Sequence, residues 1–71
     1  MFTEVPKISL EAARVNAKLS QKEAAKQLGI TPETLRRYEN GKTLPDIGMA
    51  TQMESLYKFP LSHIFFGNTS L

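Results

Sequence analysis

The sequence predicts an all-α protein, a compact five-helix bundle, and three observations support this fold class. Apolar residues recur every three or four positions along much of the 71-residue chain, which is the spacing of one helix face. Residues that begin and end helices stand between these segments. The chain has no cysteine, so neither disulfides nor thiolate zinc ligands can stabilise so small a core. Helix packing is therefore expected to supply the stability.

The chain is predicted to be a single domain with short flanks. Residues 1–8 contain Pro6 and no helical period, and are predicted to form an N-terminal arm. Residues 9–67 are predicted to form the helical domain, with residues 68–71 as a C-terminal tail.

The first helix is predicted to begin after Ser9, which can cap it. The positions i, i+3, i+4 and i+7 of one helix face are Leu10, Ala13, Arg14 and Ala17. An arginine on an inward face is costly unless an acid pairs with it. The expected partner is Glu39, which also has apolar neighbours.

The second helix is predicted to span about 21–28. Ser20 and Glu23 form an S-x-x-E capping box, in which each side chain accepts from a backbone N–H at the helix start. Gly29 follows where a residue of positive φ would close the helix, a conformation that glycine adopts without steric cost.

The third helix is predicted to span about 32–39, with Thr31 as its cap and Pro32 at its first position. Leu35 and Tyr38 are expected to face inward. The outward face then presents Glu33, Thr34, Arg36 and Arg37.

Two further helices complete the predicted bundle. Asp46 is expected to cap a fourth helix over about 47–57, and Pro60 to begin a fifth that ends at Gly67-Asn68. The inward set of the fourth helix is predicted to be Ile47, Ala50, Met53, Leu56 and Tyr57. Residues expected to return to the core from the fifth helix are Leu61, Ile64 and Phe65.

The positive charge is concentrated in the middle of the chain. The net charge is only +2, but seven basic and three acidic residues lie between positions 14 and 42. Such a distribution fits a nucleic-acid partner, and it also fits an ordinary solvated helical surface. Charge alone does not separate these two interpretations.

Two short helices joined by a turn that contains glycine form a helix-turn-helix, here residues 20–41, whose second helix enters the DNA major groove. Over residues 9–67 the sequence resembles the phage Cro and repressor family, the xenobiotic-response-element type of helix-turn-helix. The residues that carry the resemblance are Arg14, Gln21, Ala25, Gly29, Leu35, Glu39, Asn40 and Gly41. The resemblance implies a lambda-repressor-like DNA-binding domain and a structural ion pair between Arg14 and Glu39.

The predicted base-reading residues are Glu33, Thr34, Arg36 and Arg37, the outward face of the third helix. Arginine can donate two hydrogen bonds to guanine O6 and N7, whereas Glu33 could either accept from cytosine N4 or repel phosphates. The predicted phosphate-binding residues are Gln21, Asn40 and Lys42. The alternative for the base-reading set is a solvated helix face without a ligand.

The function predicted from these features is a sequence-specific regulator of transcription that binds double-stranded DNA. It is expected to be a phage-type or prophage-type repressor that inserts helix 32–39 into the major groove of a palindromic operator. Homodimerisation through the C-terminal region, with Phe65 and Phe66, is left open. The alternative function is a protein-interaction module, such as an antitoxin or a partner-binding subunit that covers these phenylalanines.

Other classes are not expected. The sequence has no nucleophilic cysteine, no G-x-S-x-G motif and no glycine-rich phosphate loop, so an enzyme is not predicted. His63 cannot form a metal site alone, and no cofactor or small-molecule effector is expected. The apolar runs are too short for a membrane span and the N-terminus does not resemble a signal peptide, so a cytoplasmic location is expected.

Overall fold

The computed structural model describes residues 8–66, which contain four α-helices and one pair of very short strands. The helices are α1 (Leu10–Asn16), α2 (Gln21–Leu28), α3 (Pro32–Glu39) and α4 (Ile47–Tyr57). Strand β1 (Ile8–Ser9) pairs in parallel with β2 (Ile64–Phe65), which follows a 3-10 turn over Leu61–His63. None of these helices is long and apolar enough to cross a membrane.

The prediction of five helices is wrong at the C-terminal end. After Pro60 the chain makes only the 3-10 turn, which is held against α4 because Glu54 Oε2 accepts from the Leu61 N–H at 3.2 Å. Ile64 is extended (φ −112°, ψ 130°) and lies opposite Ile8 in the strand pair. A helix of so few residues is marginal, whereas a second strand provides backbone hydrogen-bond partners.

The predicted flanks lie mostly outside the described part of the chain. Of the predicted arm, the structure describes Ile8, which belongs to β1. Residues 1–7, the tail 68–71, Gly67 and the side chain of Phe65 lie outside the described residues.

The helix starts follow from local side-chain chemistry. The capping residues that accept from the N–H three positions later are Ser9, Ser20, Thr31 and Asp46. The capping box of α2 is complete, with Ser20 N–H donating to Glu23 Oε1 at 2.9 Å and Glu23 N–H donating to Ser20 Oγ at 3.0 Å. These bonds from Ser20 favour the carboxylate and lower the pKa of Glu23.

Each of the four helices is followed, within two residues of its end, by a residue with positive φ. After α2 and α3 this residue is a glycine, Gly29 (φ 74°) or Gly41 (φ 77°), as a left-handed closing residue usually is. After α1 and α4 it is Lys18 (φ 65°) or Lys58 (φ 56°), and lysine gives no sequence signal for this conformation. The helices are therefore closed by one backbone geometry that the sequence reveals only in part.

The core lies between α1, α2, α3 and α4, with Leu35 and Met53 fully buried at its centre. Ile64 of β2 closes one end of it. The inward prediction for α4 is correct for Ala50, Met53 and Tyr57. It is wrong for Ile47, which is 77% exposed, whereas Met49 in the same turn packs against the core.

Gly29→Ala is expected to lower the free energy of unfolding by about 1–2 kcal/mol, because an L side chain at φ 74° strains the backbone. A Cβ there would meet no atom within 4 Å, so the cost is conformational alone. The control is Gly48→Ala in α4, which is expected to be neutral or to stabilise by about 0.5 kcal/mol. Urea denaturation measures both, and equal effects of the two variants would contradict the assignment of φ as the cause.

Candidate nucleic-acid interface

A buried ion pair joins the first and third helices. Arg14 Nε donates to Glu39 Oε2 at 2.7 Å, and Arg14 Nη2 lies 3.4 Å from Oε1. The two side chains are only 9% and 3% exposed. The remaining Nη1 of Arg14 donates to the carbonyl of Leu19 at 2.8 Å, in the segment between α1 and α2. These bonds compensate for the desolvation that makes a buried charge costly.

Gln21 joins the same cluster from the start of α2. Its Nε2 donates to Glu39 Oε1 at 2.9 Å, so the side chain predicted to bind phosphate is engaged with the protein here. One carboxylate therefore fixes α1, α2 and α3 relative to one another. The sequence gives no local signal for this bond, because 18 positions separate the two residues. The backbone N–H groups of the first turn of α2 are the remaining feature at this position that would attract a phosphate.

Tyr57, predicted as a core residue, contributes an unusual group near this pair. Its ring is buried, and its hydroxyl finds no hydrogen-bond partner among the described residues. Burial disfavours the phenolate and raises the pKa of Tyr57 to about 12, with Glu39 adding to the shift and Arg14 opposing it. The hydroxyl is thus a buried polar group that costs stability.

Tyr57→Phe is expected to raise the free energy of unfolding by roughly 1 kcal/mol at neutral pH, because it removes an unsatisfied buried hydroxyl. Between pH 10 and about 12 the gain should grow. There the unfolded wild-type chain loses the tyrosine proton while the folded chain retains it, so only the wild type is destabilised by this group. Urea denaturation at several pH values tests this, with Tyr38→Phe as the control for losing a phenol at a half-buried position. If the difference in free energy of unfolding between Tyr57→Phe and the wild type stayed constant or shrank above pH 10, the shifted pKa of Tyr57 would be contradicted.

The outward face of α3 carries the predicted base-reading residues. Leu35 is fully buried, and this fixes the helix so that Glu33, Arg36 and Arg37 are exposed to solvent. Thr34 is half-buried, and its Oγ1 lies 2.9 Å from the hydroxyl of the capping Thr31. Three of the four predicted side chains are therefore exposed to solvent, whereas Thr34 is partly buried and contacts the capping Thr31.

The end of α3 adds two predicted phosphate-binding residues to the same surface. Asn40 is the exposed residue that ends the helix, and Gly41 then turns the chain so that the Lys42 N–H donates to the Arg37 carbonyl at 3.0 Å. A cavity of about 330 Å³ lies at this end. It is lined by Glu33, Arg36, Arg37, Asn40 and Lys42.

This cavity is suited to an anionic ligand with hydrogen-bond acceptors. Three basic side chains and one amide face it, against a single acid, and arginine and lysine are the usual donors to phosphate and guanine acceptors. Residues 8–66 contain no group of three potential ligand side chains that could hold a metal ion.

A capped helix pair around a glycine turn, with a basic outward face on its second helix, defines the helix-turn-helix class of DNA-binding domains. The chain belongs to the helix-turn-helix family of the xenobiotic-response-element type, whose family model matches residues 10–64. It is also 32% identical over 50 residues to multiprotein-bridging factor 1c of Arabidopsis thaliana. That match covers 70% of this chain but only 34% of the relative. No solved structure matches this chain at a significant level.

Proposed function

We propose that this protein is a sequence-specific regulator of transcription that binds double-stranded DNA by inserting α3 into the major groove. The observation that carries the proposal is the exposed basic face of α3, held in a helix-turn-helix by the buried Arg14–Glu39 pair. The base-reading face would be formed by Glu33, Thr34, Arg36 and Arg37, with Arg37 as the residue that contacts a guanine. The residues at the DNA backbone would be Gln21, through the start of α2, with Asn40 and Lys42.

The proposal includes a repressor that binds a palindromic operator as a homodimer. Two-fold symmetry would double the contacts of a reading helix that is only eight residues long. An apolar surface supports it: Leu44 and Ile47 are 64% and 77% exposed. Leu44 also lines an apolar cavity of about 220 Å³, together with Phe66. A second copy that covers this surface would remove it from water.

Selection from random duplexes, followed by filter binding, tests the proposal. We expect one enriched sequence and an affinity for it that falls with salt, with a log–log slope of about 0.9 per phosphate neutralised. No enrichment over unselected duplexes would contradict sequence-specific binding. The measured mass of the complex tests the dimer, because two chains per duplex are expected.

A second candidate function is a protein-interaction module. The specific observations that favour it are the exposed apolar residues Leu44 and Ile47 and the name of the Arabidopsis relative, a multiprotein-bridging factor. A chain that ignores DNA but purifies with a stoichiometric partner would support this function over the first. A monomer bound to a single half-site would contradict both the partner and the dimer.

A further inference from the structure

Glu33 occupies both arginines of the reading helix in the free protein. Its Oε1 contacts Arg36 Nη2, and its Oε2 lies 3.7 Å from Arg37 Nε. The carboxylate is thus shared, with one oxygen for each guanidinium. Arg36 is hydrogen-bonded to Glu33, whereas the looser contact to Arg37, at 3.7 Å, is longer than a hydrogen bond.

These pairs do not hold the fold together. The side chains of Glu33, Arg36 and Arg37 are 54%, 55% and 60% exposed, and ion pairs so exposed contribute little to stability. Their position matters more, because all three residues line the cavity suited to an anionic ligand at the end of α3. Any acceptor on DNA that binds these arginines must compete with Glu33.

We propose that Glu33 is a specificity-determining residue that suppresses non-specific DNA binding by competing for the two arginines; this rests on the proposed function. In a specific complex, Arg37 leaves the looser contact for a guanine edge while Glu33 stays paired with Arg36, so the acid remains neutralised within the interface. In a non-specific complex, both arginines would turn to phosphates. Glu33 would then face the DNA backbone as an uncompensated negative charge.

The two types of complex therefore respond differently to loss of the acid. Non-specific binding depends almost entirely on charge, so it gains most when the carboxylate is removed. Specific binding retains its guanine contact with or without the acid. Glu33 thus increases the ratio of specific to non-specific affinity without contacting a base.

The test compares Glu33→Gln with the wild type on the selected duplex and on an unrelated duplex, over a range of salt concentrations. The control is Glu11→Gln, which makes the same change in net charge at an exposed position of α1, where Glu11 Oε2 lies 3.8 Å from Arg14 Nη2 and outside the cavity lined by Glu33. We expect Glu33→Gln to tighten binding to the unrelated duplex by about 3- to 10-fold and to the selected duplex by less than about 2-fold. The salt slope on the unrelated duplex should steepen by about 0.9, as for one more phosphate. Circular dichroism checks that each variant is folded.

Three outcomes would overturn the proposal, and each is distinct. If Glu33→Gln and Glu11→Gln changed the affinity for each duplex by the same factor, only net charge would matter. Weaker binding of Glu33→Gln to the selected duplex alone would show that Glu33 accepts from a base. A wild-type protein that selects no duplex would refute the proposed function itself, and this inference with it.

Discussion

Glu39→Ala is expected to lower the free energy of unfolding by about 3–5 kcal/mol, because it leaves the Arg14 guanidinium buried without its carboxylate. The loss is larger than for an ordinary pair, since the amide of Gln21 loses its acceptor as well. A single core of this size rarely provides more than about 3–5 kcal/mol in total. The variant should therefore be largely unfolded at room temperature, and urea denaturation followed by circular dichroism measures the loss.

A double-mutant cycle separates the ion pair from the packing around it. Arg14→Ala combined with Glu39→Ala should be less destabilised than the sum of the single variants, because no unpaired charge remains buried. Glu33→Ala is the matched control, since it breaks carboxylate–arginine pairs that are exposed, and it should cost less than about 1 kcal/mol. A cost for Glu39→Ala as small as that of the control would show that the pair does not organise the helices.

The pair also links the fold to the proposed function. The Glu39 carboxylate holds the end of α3 against α1 and the start of α2, the two helix segments beside the reading helix. Any change that loosens this ion pair would lower the stability and, under the proposed function, would also alter the angle between α3 and DNA. Partial loss of DNA binding in a folded Glu39→Gln variant would therefore indicate misplacement of α3 rather than a lost contact.

The helices that the sequence predicts well are those with local signals. The starts of α2, α3 and α4 follow from Ser20, Thr31 and Asp46, because a cap acts within three residues of itself. The strand pair was not predictable in this way. It joins Ile8 to Ile64, near opposite ends of the described chain, and a two-residue strand has no periodicity to detect.

The candidate site likewise has features that local sequence predicts and contacts that it does not. Its outward face could be predicted, since burying Leu35 fixes which residues of α3 meet solvent. The contacts of Gln21 with Glu39, and of Glu33 with both arginines, depend on side-chain conformations rather than on spacing alone. The roles of these residues toward DNA remain predictions, and they differ enough to be separated by experiment.

Arg37→Ala is expected to reduce discrimination against the wrong base by about 1–3 kcal/mol at one position of the operator, because a guanine would lose its two donors. Lys42→Ala should weaken binding to the selected and the unrelated duplex alike, because a contact with the DNA backbone carries no sequence information. The dependence of log affinity on log salt should become shallower by about 1. The structure makes the comparison sharp. The two residues line one cavity, and the Lys42 N–H donates to the Arg37 carbonyl at 3.0 Å, so the two variants change neighbouring positions of the same surface.

Arg37→Lys distinguishes charge from geometry at the same position. Lysine retains the positive charge but cannot present a planar pair of donors, so non-specific affinity should be kept while discrimination falls nearly as far as in Arg37→Ala. Repeating the selection with each variant measures both quantities at once. The opposite result would be that Lys42→Ala reduces sequence preference while Arg37→Ala lowers the affinity for all duplexes equally. The residue that reads the bases would then have to be assigned to the loop after α3 instead of the outward face of α3.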